Sequence, residues 1–292
     1  MIDFEYRTPS DLAEAAAILT EYGADARVLA GGTTLLLLMK RRCANPRVLV
    51  NLRRVADLSQ ISADRSDLRI GAAATLRDLE TSPLVAARLP GLRQAVGGIA
   101  TIRIRNQATI GGNVAHGDPL MDLPAILTAL DASVHLSSSR GDRTIPLTGF
   151  FVDHLVTAAH PDEIITHISV PLLPPRSAAV YLKHLPRTVA DYGTIGVAAW
   201  LSLDTEEERV QEVRIALAGA GSTTLRSLEA EAVLRNRRAD EAAFADAAAA
   251  VRSSIVPYSD SRGSAHYKRH IAEVFVRRAL TQALEEVRKS SR

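Results

Sequence analysis

Two adjacent prolines, Pro174 and Pro175, constrain the fold of this chain more than any other feature. Proline has no amide hydrogen to give to a sheet or a helix, and its ring fixes φ. Two in succession therefore end whatever element enters them. Pro171-Leu172-Leu173 stands just before the pair and strengthens the break. A chain of 292 residues is long enough for two compact units. The expected division is one unit over residues 1–174 and a smaller one over 175–292.

Within the first unit the pattern changes near residue 56. Up to that point strand and helix alternate. Phe4 and Tyr6 lie in a strand-like run, and Ser10 is placed to cap a helix. Leu12, Ala15, Ala16, Leu19 and Tyr22 then share one face at helical spacing, and Gly23 stops the run. Arg27–Ala30 reads as a strand, Thr33 or Thr34 as the cap of a short helix through Met39, and Arg47–Leu52 as a third strand. This predicts a small β-α-β-α-β subdomain over about 1–56. Over 57–174 a mixed α+β subdomain is expected. Its strands lie near Leu68–Ala72 and Ile164–Val170, with a hairpin around Gly141-Asp142. Short helices are expected at Thr75–Glu80, Gly91–Val96 and Pro124–Leu130. Residues 97–118 read as one long, glycine-punctuated loop, the kind of segment that carries ligands. The last unit reads as an antiparallel sheet followed by three helices, near 226–236, 239–253 and 267–288. The expected class is α+β throughout.

Composition narrows the function. Thirty-five basic and 33 acidic residues are interspersed, for a net charge of +2, so no basic stripe for nucleic acid is present. Lys40-Arg41-Arg42 follows an apolar run, where cations suit a helix C-terminus. A single cysteine, Cys43, excludes an internal disulfide and any multi-cysteine metal or iron–sulfur site on this chain. With no signal peptide expected at the start, and Leu35–Met39 too short to span a bilayer, the cytoplasm is the expected compartment, without membrane insertion. No nucleophile–base pair and no metal-ligand cluster stands out, so no catalytic and no metal residue is assigned.

Two segments carry chemical signal. They are Ala30-Gly31-Gly32-Thr33-Thr34-Leu35 and Thr109-Ile110-Gly111-Gly112-Asn113. A diphosphate needs successive backbone N–H groups converging on its oxygens, with no side chain in the way. Glycine allows that approach, and neighbouring hydroxyl or amide side chains add neutral donors. Neither segment has the lysine of a P-loop or the G-x-G-x-x-G spacing of a Rossmann turn. Either Gly-Gly alone also suits a plain tight turn.

Taken in order, the two glycine segments, Leu38-Met39-Lys40, Asp118-Pro119 and Asp122-Leu123-Pro124 resemble the FAD-binding medium subunit of the xanthine dehydrogenase and aerobic carbon monoxide dehydrogenase family, the molybdenum hydroxylases. Lys183, Arg187, Asp191-Tyr192 and Tyr267-Lys268-Arg269-His270 extend the resemblance nearly end to end. Thr33-Thr34 departs mildly from the family's common pattern, Gln-Ser or Thr-Asp.

The resemblance implies a two-subdomain FAD-binding domain, then a C-terminal domain of the molybdenum hydroxylase flavoprotein type. FAD would lie with its diphosphate on Ala30, Gly31, Gly32, Thr33, Thr34 and Leu35 and on Thr109, Ile110, Gly111, Gly112 and Asn113. Asp122 would bond cofactor hydroxyls, since a carboxylate repels a diphosphate. Ile99 and Ala100 would lie beside the isoalloxazine ring, Ile165 near the adenine, and Lys183 and Tyr192 close to the flavin. The plainer readings are a helix cap for Asp122, a solvated strand position for Lys183, interface packing for Tyr192, and surface or subunit-contact positions for Arg103 and Arg105. The resemblance also implies partners: a small [2Fe–2S] subunit and a large molybdopterin-binding subunit, in a heterotrimer or its dimer. The external electron acceptor would be NAD, a quinone or oxygen. The competing classes are a self-sufficient flavoenzyme of the same cofactor-binding fold and a scaffold relative that has lost FAD.

Overall fold

A computed structural model describes residues 2–188, 190–204 and 208–290. The first segment forms β1 (Glu5–Arg7), α1 (Leu12–Tyr22), β2 (Ala26–Leu29), α2 (Leu35–Lys40) and β3 (Val48–Asn51). The strands make a parallel sheet in the order β1-β3-β2. Parallel neighbours need crossovers, and the helices supply them. Ser10 is not the cap of α1. Asp11 takes that place, its carboxylate accepting from the Glu14 amide, while Ser10 donates to the Glu14 carboxylate. A charged acceptor thus takes the cap position. Gly23 ends the helix at φ +50°.

The next segment holds β4 (Ile61–Ala63), β5 (Asp67–Gly71), α3 (Leu76–Thr81), α4 (Pro83–Arg88), α5 (Pro90–Gly97), α6 (Ile102–Arg105), α7 (Ile110–His116), α8 (Asp122–Ala129), β6 (Ser133–Ser138), β7 (Gly141–Pro146), β8 (Phe151–Asp153), β9 (Val156–Thr157) and β10 (Ile164–Pro171). Five strands pair in the order β4-β5-β10-β6-β7, while β8 and β9 pair with each other. Residues 97–118 are not one open loop. Thr101 and Thr109 each cap a short helix, accepting from the amides of Ile104 and Gly112. The glycines hid α7 from propensity reasoning, because glycine is a poor helix former and tertiary contacts override that here. The helix α4 was equally hidden, and starts at Ser82-Pro83, where Ser82 caps and Pro83 takes the first turn.

The last segment has β11 (Ser177–His184), β12 (Ile195–Leu203), β13 (Val210–Ala218), β14 (Leu225–Arg226), α9 (Leu228–Leu234), α10 (Glu241–Ser254) and α11 (Ala265–Ser290). The four strands form an antiparallel sheet in chain order. All nine residues of β12 are buried, which explains its nearly unbroken apolar run. One face of this sheet, through Ala179, Tyr181, Ala198 and Trp200, joins the core around α5 and α8. The other, through Val197, Ala199 and Leu201, packs on α10 and α11. The first core therefore continues past Pro174-Pro175, and the break in secondary structure there does not separate the packing. Gly91 permits the closest approach: a methyl there would run into the Ala179 carbonyl. No helix among the described residues is long and apolar enough to cross a membrane.

Candidate cofactor site

The two glycine segments open onto one cleft of about 580 Å³. The first segment follows β2 and turns into α2, and Gly32 has φ +69°, a conformation that glycine adopts without strain. Among the described residues the amides of Gly32, Thr33 and Thr34 have no hydrogen-bond partner, although Gly32 and Thr34 use their carbonyls to start α2. Three successive unpaired amides in such a turn form an anion-binding nest. Thr34 stands at the cap position of α2 without spending its hydroxyl there.

The second segment is built differently. The Ile110 amide donates to Ala74 O, Gly111 to Ala72 O, Gly112 to Thr109 Oγ1 and Asn113 to Thr109 O, at 2.9–3.1 Å. Converging free amides were expected from both turns, and here they are consumed by capping and by the backbone just after β5. What this turn offers the cleft is a close, unencumbered backbone and the Asn113 side chain. A methyl on Gly111 would stand 2.6 Å from Ala72 Cβ. Asn113 Oδ1 is buried without a partner, a position that costs free energy unless a ligand or water supplies a donor. The two turns also touch: Gly31 presses on the Gln107 carbonyl and the Ala108 backbone, leaving no room for a side chain.

Beyond the glycines, the cleft wall is apolar through Leu52, Leu58, Ala73, Val156 and Ile165. Its polar residues include His116, His160 and Glu163. Burial lowers the pKa of His116, and Asp118 offsets this only in part. The Glu163 carboxylate is taken up within the protein: Arg143 binds it at 2.6 and 2.7 Å, and the His160 amide donates to it. Burial alone would raise the Glu163 pKa, but these bonds bring it below the usual value.

Residues 2–173 match the family model of the FAD binding domain in molybdopterin dehydrogenase, and residues 180–283 match that of the CO dehydrogenase flavoprotein C-terminal domain. This chain is an FAD-binding medium subunit of the molybdenum hydroxylase family. It is 38% identical to the carbon monoxide dehydrogenase medium chain of Hydrogenophaga pseudoflava over 96% of each chain. It is 36% identical to subunit alpha of the 6-hydroxypseudooxynicotine dehydrogenase complex of Paenarthrobacter nicotinovorans, over 98% of this chain and 96% of that one. A solved structure of carbon monoxide dehydrogenase from Hydrogenophaga pseudoflava superposes with a TM-score of 0.93 at 39% identity, covering 97% of this chain and 98% of the other. Quinoline 2-oxidoreductase from Pseudomonas putida 86 gives 0.91 at 30% identity, covering 98% of both chains.

The flavoprotein-subunit cleft fits the dinucleotide. It offers unpaired amides for a diphosphate, an orphaned amide oxygen for a hydroxyl donor, and an apolar wall for a flat ring. Of the residues singled out from sequence, Ala30, Gly31, Gly32, Thr33, Thr34, Leu35, Thr109, Gly111, Gly112, Asn113 and Ile165 line this cleft. Ile110 points into the core beneath it. Ile99, Ala100, Asp122, Lys183 and Tyr192 lie outside the lining, toward the C-terminal sheet. Asp122 is no helix cap: it is the first residue of α8 and is buried, with Oδ1 accepting from Tyr181 at 2.6 Å and Oδ2 from Lys183 at 2.9 Å. Lys183 is accordingly not a solvated strand residue. Tyr192 is 39% exposed, and Arg262 stands over its ring at 5.7 Å.

Sequence reasoning missed Tyr181, whose hydroxyl occupies the space a side chain at Gly196 would need. Burial, then the charge of Asp122, raises its pKa well above the ordinary value. The alternation of β11 puts Tyr181 and Lys183 on one face, which was a usable signal. Arg105, expected on the surface, is buried against Glu80.

Proposed function

We propose that this subunit carries electrons inside a multi-subunit molybdenum-dependent dehydrogenase. It would take them from [2Fe–2S] clusters of a small partner subunit, which receives them from a large molybdopterin-binding subunit. It would pass them to an external acceptor, either NAD, a quinone or oxygen. The observation that carries this reading is the nest of unpaired amides at Gly32, Thr33 and Thr34, facing the same cleft as the unpartnered Asn113 Oδ1. The names of the similar chains, a medium chain and a subunit of a complex, support the presence of partners. Cys43 is the one cysteine in the sequence, so these 292 residues cannot themselves ligate an iron–sulfur cluster, which supports a division of labour between chains.

In this reading the Gly32–Thr34 amides and the Thr33 and Thr34 hydroxyls hold the diphosphate, and Gly111 and Gly112 admit it. Asn113 orients a hydroxyl, and Ile165 packs near the adenine. Ile99 and Ala100 border the ring. The Asp122–Lys183 pair presents a neutral, fixed dipole close to it, and Tyr192 covers the exposed edge and excludes water. When bound, FAD supplies the capacity to take up electrons singly and release them in pairs. The cofactor would lie on residues 1–174, with residues 175–292 closing over its reactive end.

Purification from the native host tests the reading. A yellow chain that co-purifies with iron–sulfur and molybdenum proteins, and is reduced only when they are present, is the expected result. A yellow chain that turns over a substrate alone would make it a self-sufficient flavoenzyme. A colourless chain that takes up no added FAD would make it a scaffold.

A further inference from the structure

The segment between the two glycine turns is tied by a buried arginine that no part of the proposed function uses. Arg105, at the end of α6, has a side chain only 11% exposed. Its Nε and Nη2 donate to the two carboxylate oxygens of Glu80 on α3, at 3.0 and 3.2 Å. Its Nη1 donates to the backbone carbonyls of Ile99 and Ala100, at 2.9 and 3.2 Å. Burial works to raise the pKa of Glu80, but the hydrogen bonds and charges of Arg105 and Arg77 outweigh it and bring it down. The pair is therefore ionised.

The bonds to the carbonyls fall on strained backbone. Ala100 has φ +46°, a region that a residue with a Cβ adopts only when its surroundings impose it. Downstream, the Gln107 and Ala108 amides both donate to Ile104 O, at 3.0 and 2.8 Å. This turns the Gln107 carbonyl and the Ala108 backbone against Gly31 of the first turn. Ala108 O accepts from Leu76 at the start of α3, and Thr109 begins the second turn. One guanidinium thus closes residues 99–108 on themselves and on α3, between the two turns.

We propose that Arg105 is a positioning residue for the cofactor: it fixes residues 99–108 as the rigid wall that sets the spacing of the two glycine turns and the place of Ala100. This rests on the reading that the cleft holds FAD. The planar fork is what the geometry demands, since it serves a carboxylate and two carbonyls at once, whereas a lysine ammonium has no such fixed spread.

The full chain, as purified and freed of FAD, is titrated with FAD by flavin fluorescence, and the visible band of the loaded protein is recorded. R105Q is expected to weaken FAD by about tenfold or more and to shift the shape of the visible band. R105K is expected to recover part of both. In R105Q the Glu80 carboxylate is left without its main partner, which also harms folding. The double variant E80Q/R105Q removes that charge, so its melting temperature is expected to return toward wild type while the FAD defect stays. If the double variant recovers melting temperature and affinity together, Arg105 is structural only and the proposal is overturned. Wild-type affinity and spectrum in R105Q overturn it as well. Hydrogen exchange in the wild-type chain gives a test that needs no variant: the amides of 99–108 are expected to slow when FAD is added, and unchanged exchange there counts against the wall. Failure of the cofactor reading looks different, because then the wild-type chain takes up no FAD at all. If wild type binds FAD, a bulky residue at Gly111 blocks it and R105Q leaves it untouched, only the role of Arg105 falls.

Discussion

Lys183 on β11 and Asp122 at the start of α8 form an ion pair of 2.9 Å with side chains 9% and 8% exposed, and Tyr181 closes the second carboxylate oxygen at 2.6 Å. The three groups join the C-terminal sheet to the helix that follows the second glycine turn. Removing one charge leaves the other buried with a single neutral donor. K183M is therefore expected to cost about 3–5 kcal/mol of stability. D122N/K183M removes both charges and is expected to recover a large part of that loss. Urea unfolding midpoints at pH 7 measure both. A loss well under 1 kcal/mol for K183M would mean that water reaches the pair and that it does not hold the two halves together.

The contact between Gly31 and residues 107–108 makes a second prediction. A methyl at Gly31 would collide with the Gln107 carbonyl and stand 2.9 Å from Ala108 Cα, both backbone atoms that cannot rotate away. G31A is expected to destabilise by about 1–3 kcal/mol through overpacking. It is also expected to weaken FAD by about tenfold or more, because the wall and the nest move apart. Gly221 has open space around it and an ordinary φ, so G221A is expected to stay within about 0.5 kcal/mol of wild type. Equal effects from G31A and G221A would remove the steric argument.

Much of the fold was legible because its signals are local. The alternation in residues 5–51 and the stop at Gly23 are written in neighbouring residues, and the apolar run of β12 follows from burial on both faces. Both glycine turns were legible as places of close backbone approach, and the structure brings them to one cleft. The rest depends on tertiary contacts. The amides of the second turn look free in sequence, but Ala72 and Ala74, almost forty residues earlier, take two of them. Arg105 reads as a surface residue until Glu80 and two carbonyls are found around it. The helix Ile110–His116 violates glycine's propensity, because Gly111 is needed for packing on Ala72.

Asn113 should show opposite effects on stability and on binding. Its buried Oδ1 has no partner in the protein, so the cofactor-free chain carries an unsatisfied acceptor. N113A relieves that burden and is expected to leave the apo chain as stable as wild type, or more stable by up to about 1 kcal/mol. The same change is expected to weaken FAD by about tenfold. Differential scanning calorimetry of the apo chain, together with an FAD titration, reads both. An apo chain destabilised by N113A would show that the side chain has a structural partner instead.

The last prediction concerns pH. His135 and His167 stack on the sheet with ring centroids 3.9 Å apart and an angle of 12°. Burial, then the neighbouring His135 and Arg69, bring the His167 pKa down to about 4, with Asp142 opposing. His135 is lowered by burial and Arg69, with Asp67 opposing. Both folded values lie below the unfolded histidine value, so the unfolded chain binds more protons over that window. The stability they contribute is complete above about pH 6.5 and is lost as pH falls toward about 4. The rings are partly exposed, and solvent screening limits the His167 share to about 1 kcal/mol. His116, also lowered by burial, adds to the same slope. Carboxylates such as Glu80 and Glu163, whose pKa values are lowered, lose their contribution only below their unfolded values, about 4.3 for Glu, so the interval from pH 6.5 to 5 isolates the histidines. The melting temperature is expected to fall by a few degrees across it, and H167Q is expected to flatten that fall. A full wild-type slope in H167Q would mean that His167 titrates as freely in the folded chain as in the unfolded one.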